Sequence, residues 1–204
     1  MKKIILILAL FFTLDSLYSQ NEPTADMTTN NQPAIERTYP ISLGIESGIN
    51  YTGFFALSAE GNIAKNLCIN GDFGLGGWGF KLGISARYYK SYPKGLYYSL
   101  GFFHSTGIDS IEISLATTNS PNNAEEIALR FEPVNNLNLG LGYQWQLGNR
   151  FRLHIELGYS IILKPEPWEV LTPNKTLTQT SKQVMNFSAP GGLMFGLGFS
   201  VGLY

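Results

Sequence analysis

The sequence predicts an all-β fold: a transmembrane antiparallel up-and-down β-barrel of eight strands that follows a cleaved signal peptide. Three observations support this prediction. Apolar and polar residues alternate through eight successive segments of the 204-residue chain. The connections on one side of these segments are short, whereas two connections on the other side are long. The N-terminus carries the basic and apolar stretches of an export signal.

The N-terminal region divides into an export signal and a polar segment. Lys2 and Lys3 precede an apolar stretch that is too short to cross a bilayer as a helix, and a cleavage site follows at Ser19. Residues 1–19 are therefore predicted to be a signal peptide. Residues 20–38 are polar and lack a period, so we expect a flexible periplasmic lead-in there and the barrel over 39–204.

Composition argues against several other classes of protein. The formal net charge of −1 does not favour a nucleic-acid-binding surface. The single cysteine, Cys68, permits no internal disulfide, and it lies too far from the cleavage site to carry a lipid anchor on the new N-terminus. We expect no metal and no cofactor.

The eight alternating segments are the predicted strands. Successive side chains of a strand point to opposite faces, so each segment has one apolar face and one polar or small-residue face. In a membrane barrel the apolar face is outside, whereas a soluble eight-stranded barrel has the opposite arrangement. The segments begin at Tyr39, Phe55, Leu67, Phe80, Leu96, Leu137, Phe151 and Leu193.

The connections predict how the barrel is oriented. Three short connections, at Lys65-Asn66, Lys90–Gly95 and Gly148-Asn149, lie on one side. Two long ones, over about 106–135 and 164–191, lie on the other. Short periplasmic turns and longer outer loops are typical of bacterial outer-membrane barrels. The long connections are therefore predicted to face the cell exterior.

Strand length and aromatic residues fit a membrane crossing. An eleven-residue strand tilted by about 40° spans about 26 Å, close to the apolar band of roughly 25 Å in such barrels. Aromatic residues at both strand ends predict two interfacial girdles. The girdle nearer the short turns comprises Tyr88, Tyr98, Trp145 and Phe151, and the girdle nearer the long loops comprises Phe55, Phe73, Phe80, Phe102 and Tyr159.

The chain resembles small eight-stranded outer-membrane barrels of the OmpX and OmpA-barrel type over about Tyr39 to Tyr204. The last predicted strand, from Gly192, is similar to the C-terminal assembly signal of that class, although Tyr204 shares its parity with Gly202 and not with the apolar face. The resemblance implies a monomer in the cell outer membrane. It also implies contact with outer-membrane lipids and with the barrel-assembly machinery through the C-terminal strand.

Charged residues are predicted inside the barrel. An eight-stranded lumen is only wide enough to be filled by side chains, so such groups have to pair with one another. We expect a salt-bridged plug, and the alternative is a narrow ion-conducting path. The residues with lumen parity are Glu46, Glu60, Asp72, Lys81, Arg87, Arg152, His154 and Glu156.

No catalytic residues are predicted. Gly74–Gly79 and Gly198–Gly202 match nucleotide-binding and nucleophile-elbow patterns, but both patterns require a following helix and both matches lie in predicted strands or turns. A lipid A-modifying enzyme, the alternative function, needs a serine, a histidine and a carboxylate together. His104 and Ser105 point to opposite faces.

The remaining candidate for function is the pair of long outer loops. Alternating apolar residues over 111–115 and 127–131, on either side of Ser120–Asn123, predict a hairpin that projects beyond the membrane. An exposed strand edge could recruit a partner strand. Residues 164–191 show less pattern. We therefore expect a non-enzymatic barrel with a structural role or a surface ligand at these loops.

Overall fold

The structure, a computed structural model, describes residues 40–203, except the side chain of Asn122. The predicted signal peptide (1–19), the lead-in (20–38) and Tyr204 lie outside the described residues. Within the described part, no helix combines the length and the hydropathy that a membrane crossing requires.

The described chain forms eleven strands and one helix, and eight of the strands close into an antiparallel barrel in the order β1-β11-β9-β8-β5-β4-β3-β2. The barrel closes where β1 pairs with β11, from Ile41 with Leu203 to Ile49 with Phe195. The predicted antiparallel up-and-down barrel of eight strands is confirmed. The elements are β1 Ile41–Ile49, β2 Phe55–Ala64, β3 Leu67–Gly76, β4 Gly79–Tyr89, β5 Gly95–Ser105, β6 Ile108–Thr117, β7 Ser120–Phe131, β8 Val134–Leu147, β9 Phe151–Ile162, β10 Trp168–Val170, α1 Gln179–Ser188 and β11 Gly192–Leu203.

The barrel wall is apolar outside and polar inside. Leu57 and Ile84 on the outer face are 54 % and 57 % exposed, whereas Arg87 and Glu46 on the inner face are each 2 % exposed. This distribution is the reverse of that in a soluble barrel and is the architecture of a transmembrane β-barrel.

Glycines on the inner face make room for large lumen side chains. A Cβ atom on Gly142 would collide with the ring of Tyr97, and one on Gly198 would collide with the ring of His154. Gly142 pairs with Tyr97 and Gly198 pairs with His154, so each ring lies over a glycine of the neighbouring strand, which leaves room for it in a narrow barrel. The glycines of the inner face are thus part of the lumen packing.

Three connections at one end of the barrel are short, and we call this the short-turn end. They are 65–66, 90–94 and 148–150. At the opposite end, 50–54 and 77–78 are also short, so only two of the four connections there are long. The alternation of short and long connections is therefore limited to the second half of the chain.

The two long connections fold together over the second end of the barrel, and we call this structure the cap. β6 and β7 form the predicted hairpin, and β10 pairs with β7 to complete a three-stranded sheet. The segment 164–191, whose sequence shows less pattern, contributes both β10 and α1. Thr178 begins α1 by accepting a hydrogen bond from the backbone N–H of Ser181.

The cap, which includes the predicted hairpin, has its own apolar core. Trp78, in the turn between β3 and β4, stacks on Phe131 with ring centroids 3.9 Å apart. Val134 and Ile162, which have lumen parity at the ends of β8 and β9, join this core. The apolar face of the sheet therefore packs over the mouth of the lumen. The other buried members of the core are Ile127, Leu129, Leu177, Met185 and Ala189.

Candidate functional site

The structure places all eight charged residues with lumen parity inside the barrel, each buried. They come from β1, β2, β3, β4 and β9. Together they comprise four carboxylates, three permanent cations and one imidazole. Because charges in a poorly hydrated space are costly, their contacts with one another decide whether this arrangement is stable.

Arg87 on β4 is the centre of this cluster. Its Nη2 lies 3.1 Å from Glu46 Oε1, its Nη1 lies 3.3 Å from Glu60 Oε2, and its Nε lies 3.9 Å from Glu156 Oε2. These carboxylates belong to β1, β2 and β9. One guanidinium thus joins four strands of the barrel across the lumen.

Tyr51 completes this centre, and the alternation gave no reason to select it. It lies in the 50–54 connection, yet its side chain turns into the lumen and is 2 % exposed. Arg87 Nη2 donates to the Tyr51 hydroxyl at 2.6 Å, and the hydroxyl donates to Glu156 Oε2 at 3.3 Å. The connection therefore fills the lumen from above. No strand pattern could have indicated this, because loop residues do not follow strand parity.

Glu60 and Glu156 each have further partners. Arg152 Nη1 lies 3.1 Å from Glu60 Oε1, and Tyr89 donates to Glu60 Oε2 at 3.1 Å. Tyr97 donates to Glu156 Oε2 at 3.0 Å, and Ser99 donates to Glu156 Oε1. Tyr89, Tyr97 and Ser99 have the same inward parity as Arg87, so the alternation could have identified them.

Asp72 and Lys81 do not join the Arg87 cluster through ion pairs. Asp72 accepts a hydrogen bond from Asn70 at 2.7 Å, and Lys81 Nζ lies 5.0 Å from the centre of the Phe103 ring. His154 lies at the edge of the cluster, with Nε2 3.5 Å from Glu46 Oε1 and 3.4 Å from the Tyr51 hydroxyl.

At the short-turn end, tyrosines and the β4–β5 connection close the lumen. Tyr89 and Tyr97 are completely buried, and Tyr92 packs edge-on against Tyr89 at 5.1 Å. The connection bends inward, so that Gln144 Nε2 donates to the carbonyl of Pro93 at 2.6 Å. Arg152 lies 5.1 Å above the Tyr92 ring. The lumen thus has an aromatic floor, a charged middle and an apolar roof in the cap.

The nine aromatic residues predicted as girdles lie on the outer face of the barrel wall. Eight of them are among the exposed large apolar residues, and Tyr98 is half-buried beside Tyr88. By strand position, Tyr88, Tyr98, Trp145 and Phe151 lie toward the short-turn end, whereas Phe55, Phe73, Phe80, Phe102 and Tyr159 lie toward the cap.

Within the described residues, His104 on the outer face is not joined by a serine and a carboxylate. His104 Nδ1 lies 2.7 Å from Asn135 Oδ1, while Ser105 is buried in the lumen. Gly77 and Trp78 form a tight turn between two strands, and Gly198–Gly202 lies within β11. Over residues 40–203 no group of three or more metal-binding side chains is arranged to hold an ion.

Ionisable groups outside the barrel strands respond to local contacts. The pKa of Glu125 in the cap is held below its usual value, chiefly because Lys175 donates to its carboxylate and secondarily because Ser120 does. The Lys175 Nζ atom lies 2.6 Å from Glu125 Oε2. Burial raises the pKa of Tyr92, so the floor of the lumen holds a neutral phenol there.

No family model matches the chain, and no curated protein matches it. Among solved structures, it is similar to the N-terminal β-barrel domain of Pseudomonas aeruginosa OprF, at 14 % identity, with 79 % of this chain and 95 % of that chain covered and a TM-score of 0.43. A likeness at this level carries no information about function.

Proposed function

We propose that this protein is a non-conducting barrel of the bacterial outer membrane, with a folded cap that has a structural or surface-binding role. The observation that carries the proposal is the contact of one buried guanidinium, Arg87, with carboxylates from three other strands, at 3.1, 3.3 and 3.9 Å. Such a cross-link occupies the lumen at its middle.

The apolar outer face supports the membrane placement. Large apolar side chains about half exposed line the barrel, among them Leu43, Leu82 and Leu100 at 50–51 %. A belt of this size is costly in water, whereas lipid chains cover it without cost. The long connections and the cap would then face outward, as in other barrels of this kind.

The three layers of the lumen support the absence of conduction. An ion passing through would have to displace the apolar core of the cap, separate Arg87 from Glu46 and Glu60, and pass the buried rings of Tyr89 and Tyr97. Breaking a buried ion pair costs several kcal/mol, which is a high barrier for a permeation path.

Planar-bilayer recording of the purified protein tests the plug. We expect no stable conductance from the wild type and brief fluctuating openings from Arg87→Ala, because the substitution removes the side chain that fills the middle of the lumen. Arg130→Ala in the cap, an exposed residue paired with Glu169, is the matched control and should remain silent. A stable wild-type conductance that Arg87→Ala abolishes would show instead that the lumen is a path.

Gel mobility and surface proteolysis test the membrane placement and orientation. We expect a barrel that migrates faster before boiling than after it. On intact cells we expect external protease to cleave in the exposed segment 173–176 of the cap. We expect no cleavage at the 65–66 turn, because this turn lies at the opposite end of the barrel from the cap. Cleavage at 65–66 in intact cells would show that the barrel has the opposite orientation to the one proposed.

The role of the cap is tested through the hairpin tip. Deletion of 117–123 shortens β6 and β7 while leaving the barrel strands intact. If the tip binds a surface ligand, cells that carry the deletion should adhere less than wild-type cells while the barrel remains heat-modifiable. Unchanged adhesion would exclude the tip as a binding element. A non-enzymatic role is tested by mass spectrometry of lipid A from cells with and without the protein. A difference in acyl chains between the two would contradict that role.

A further inference from the structure

Helix α1 has two different faces. Ser181 and Met185 are buried on the side that packs into the cap, where Ser181 donates to the carbonyl of Ala116. Val184 and Phe187 point away from that side and are 49 % and 90 % exposed. Phe187 is the most exposed large apolar side chain of the described residues. A surface helix normally keeps one apolar face, so the second apolar strip requires a second apolar environment.

This strip lies next to the upper rim of the barrel. α1 leads through 189–191 directly into β11. Phe187, together with Tyr159 and Leu193 of the rim and Phe54 of the β1–β2 connection, lines a cavity of about 1120 Å³ that Lys81 and Ser105 of the lumen also line. Ligand cavities in proteins are commonly roughly 300–1,000 Å³, so the space is sufficient for an extended apolar chain.

The cavity is continuous with the outer face of the barrel. Leu193 is 80 % exposed and pairs with Tyr159, which is 54 % exposed, and the next outward residues along these strands, Phe195 and Leu157, are 46 % and 58 % exposed. Phe187 and these outward-facing residues therefore border the same cavity at the rim. The helix itself carries one charged residue, Lys182, which is half-buried on a different side.

We infer that this groove, lined by Phe54, Tyr159, Phe187 and Leu193, binds an acyl chain of an outer-leaflet lipid. This inference rests on the proposed membrane placement. Val184 and Phe187 then lie in the membrane interface as the apolar face of an amphipathic helix, while Gln179 at the other end of the helix stays in water. Continuity with the apolar barrel wall is the reason for choosing lipid over a protein partner.

The depth of nitroxide labels in reconstituted protein tests the inference. Cysteine is introduced singly by Phe187→Cys, Val184→Cys, Gln179→Cys and Leu197→Cys in a Cys68→Ala background, because Cys68 is the only native cysteine. The labelled proteins are inserted into vesicles of phosphatidylethanolamine and phosphatidylglycerol. Relaxation by oxygen, which concentrates in lipid, is compared with relaxation by a water-soluble nickel chelate.

We expect labels at 187, 184 and 197 to collide more often with oxygen than with nickel, and the label at 179 to show the reverse. Leu197 is the membrane control, because it lies in β11 on the outer wall and is 44 % exposed. If 197 is in lipid but 187 and 184 are in water, the acyl-chain site is wrong and the membrane placement stands. If 197 is also in water, the proposed membrane placement itself fails.

Folding of each variant is checked by its heat-modifiable gel mobility. Phe187 is 90 % exposed, so replacing it removes little packing and the variant should fold. As a second measurement, Phe187→Ser should retain less co-purifying lipid than Gln179→Ser at equal barrel content. Equal lipid retention by the two variants would contradict the acyl-chain site.

Discussion

Replacing Arg87 by methionine should strongly destabilise the barrel. The guanidinium lies 3.1 Å from Glu46 and 3.9 Å from Glu156. Among the described residues, neither of these two carboxylates forms an ion pair with another lysine or arginine. At an effective dielectric constant of about 20, the 3.1 Å contact alone corresponds to about 5 kcal/mol of Coulomb attraction. Desolvation offsets part of this attraction in the intact protein, but a carboxylate left behind retains its burial cost.

Removing one partner of a buried ion pair typically costs about 3–5 kcal/mol, and we expect a loss of that size. Glu60 contributes little to it, because Arg152 still lies 3.1 Å from its Oε1. The measurement is urea-induced unfolding of the protein in lipid vesicles, followed by tryptophan fluorescence and gel mobility. Methionine keeps an unbranched apolar stem but lacks the guanidinium, so the substitution removes the charge together with the volume of that group.

Two further variants make the reasoning refutable. Arg130→Met breaks an exposed pair with Glu169 and should cost about 1 kcal/mol or less. Glu46→Gln combined with Arg87→Met should recover about 1–3 kcal/mol relative to Arg87→Met alone, because one stranded charge is gone. If Arg87→Met costs no more than Arg130→Met, the carboxylates are hydrated or neutral and the cluster is not a buried ion-pair network.

Three other substitutions or conditions follow from the same structure. Tyr51→Phe removes the hydroxyl contacts of 2.6 Å with Arg87 and 3.3 Å with Glu156. Urea unfolding should therefore show that the free energy of unfolding falls by about 1–3 kcal/mol. An unchanged midpoint would contradict a stabilising role of the 50–54 connection. Gly198→Ala should lower the free energy of unfolding by about 1–3 kcal/mol, because the new Cβ collides with His154. Gly71→Ala is the control and should have little effect, because a Cβ there has nothing within 4 Å. Equal losses in the two variants would show that lumen packing against glycine does not limit stability. The lowered pKa of Glu125 means that its pairing with Lys175 stabilises the cap above the ordinary glutamate value of 4.5 and that this contribution is lost as pH falls through the lowered pKa. Protease susceptibility of the cap should therefore rise on acidification below 4.5 in the wild type and change less in Lys175→Met.

Strand parity accounts for much of the candidate site. Because a closed barrel has one inside and one outside, parity alone assigned Arg87, Glu60 and Glu156 to the lumen, where the structure places them. Parity does not give distances around the barrel. Strand order and stagger decide that one guanidinium contacts Glu46, Glu60 and Glu156. They also decide that Lys81 lies apart from this cluster.

The connections were less predictable than the strands. Tyr51 enters the lumen from a loop, and Trp78 occupies a two-residue turn that also matches a nucleotide-binding pattern. The alternation of 111–115 and 127–131 predicted the hairpin, but nothing local indicated that 164–191 would supply a third strand and a helix. Those elements are stabilised by contacts with β6 and β7, which are distant in the chain.

The barrel could be predicted from local sequence: the strand count, the apolar exterior and the polar lumen all follow from a period of two, which is a local property of an extended chain. How the lumen is filled and covered became visible in the three-dimensional arrangement alone. The Arg87 cluster, the inward turn at Pro93 and the apolar roof under the cap each join residues from separate strands or loops. Burial of charge and of apolar surface depends on which side chains contact one another across the lumen. Local periodicity contains no information about those contacts, because they join residues that are distant in the chain.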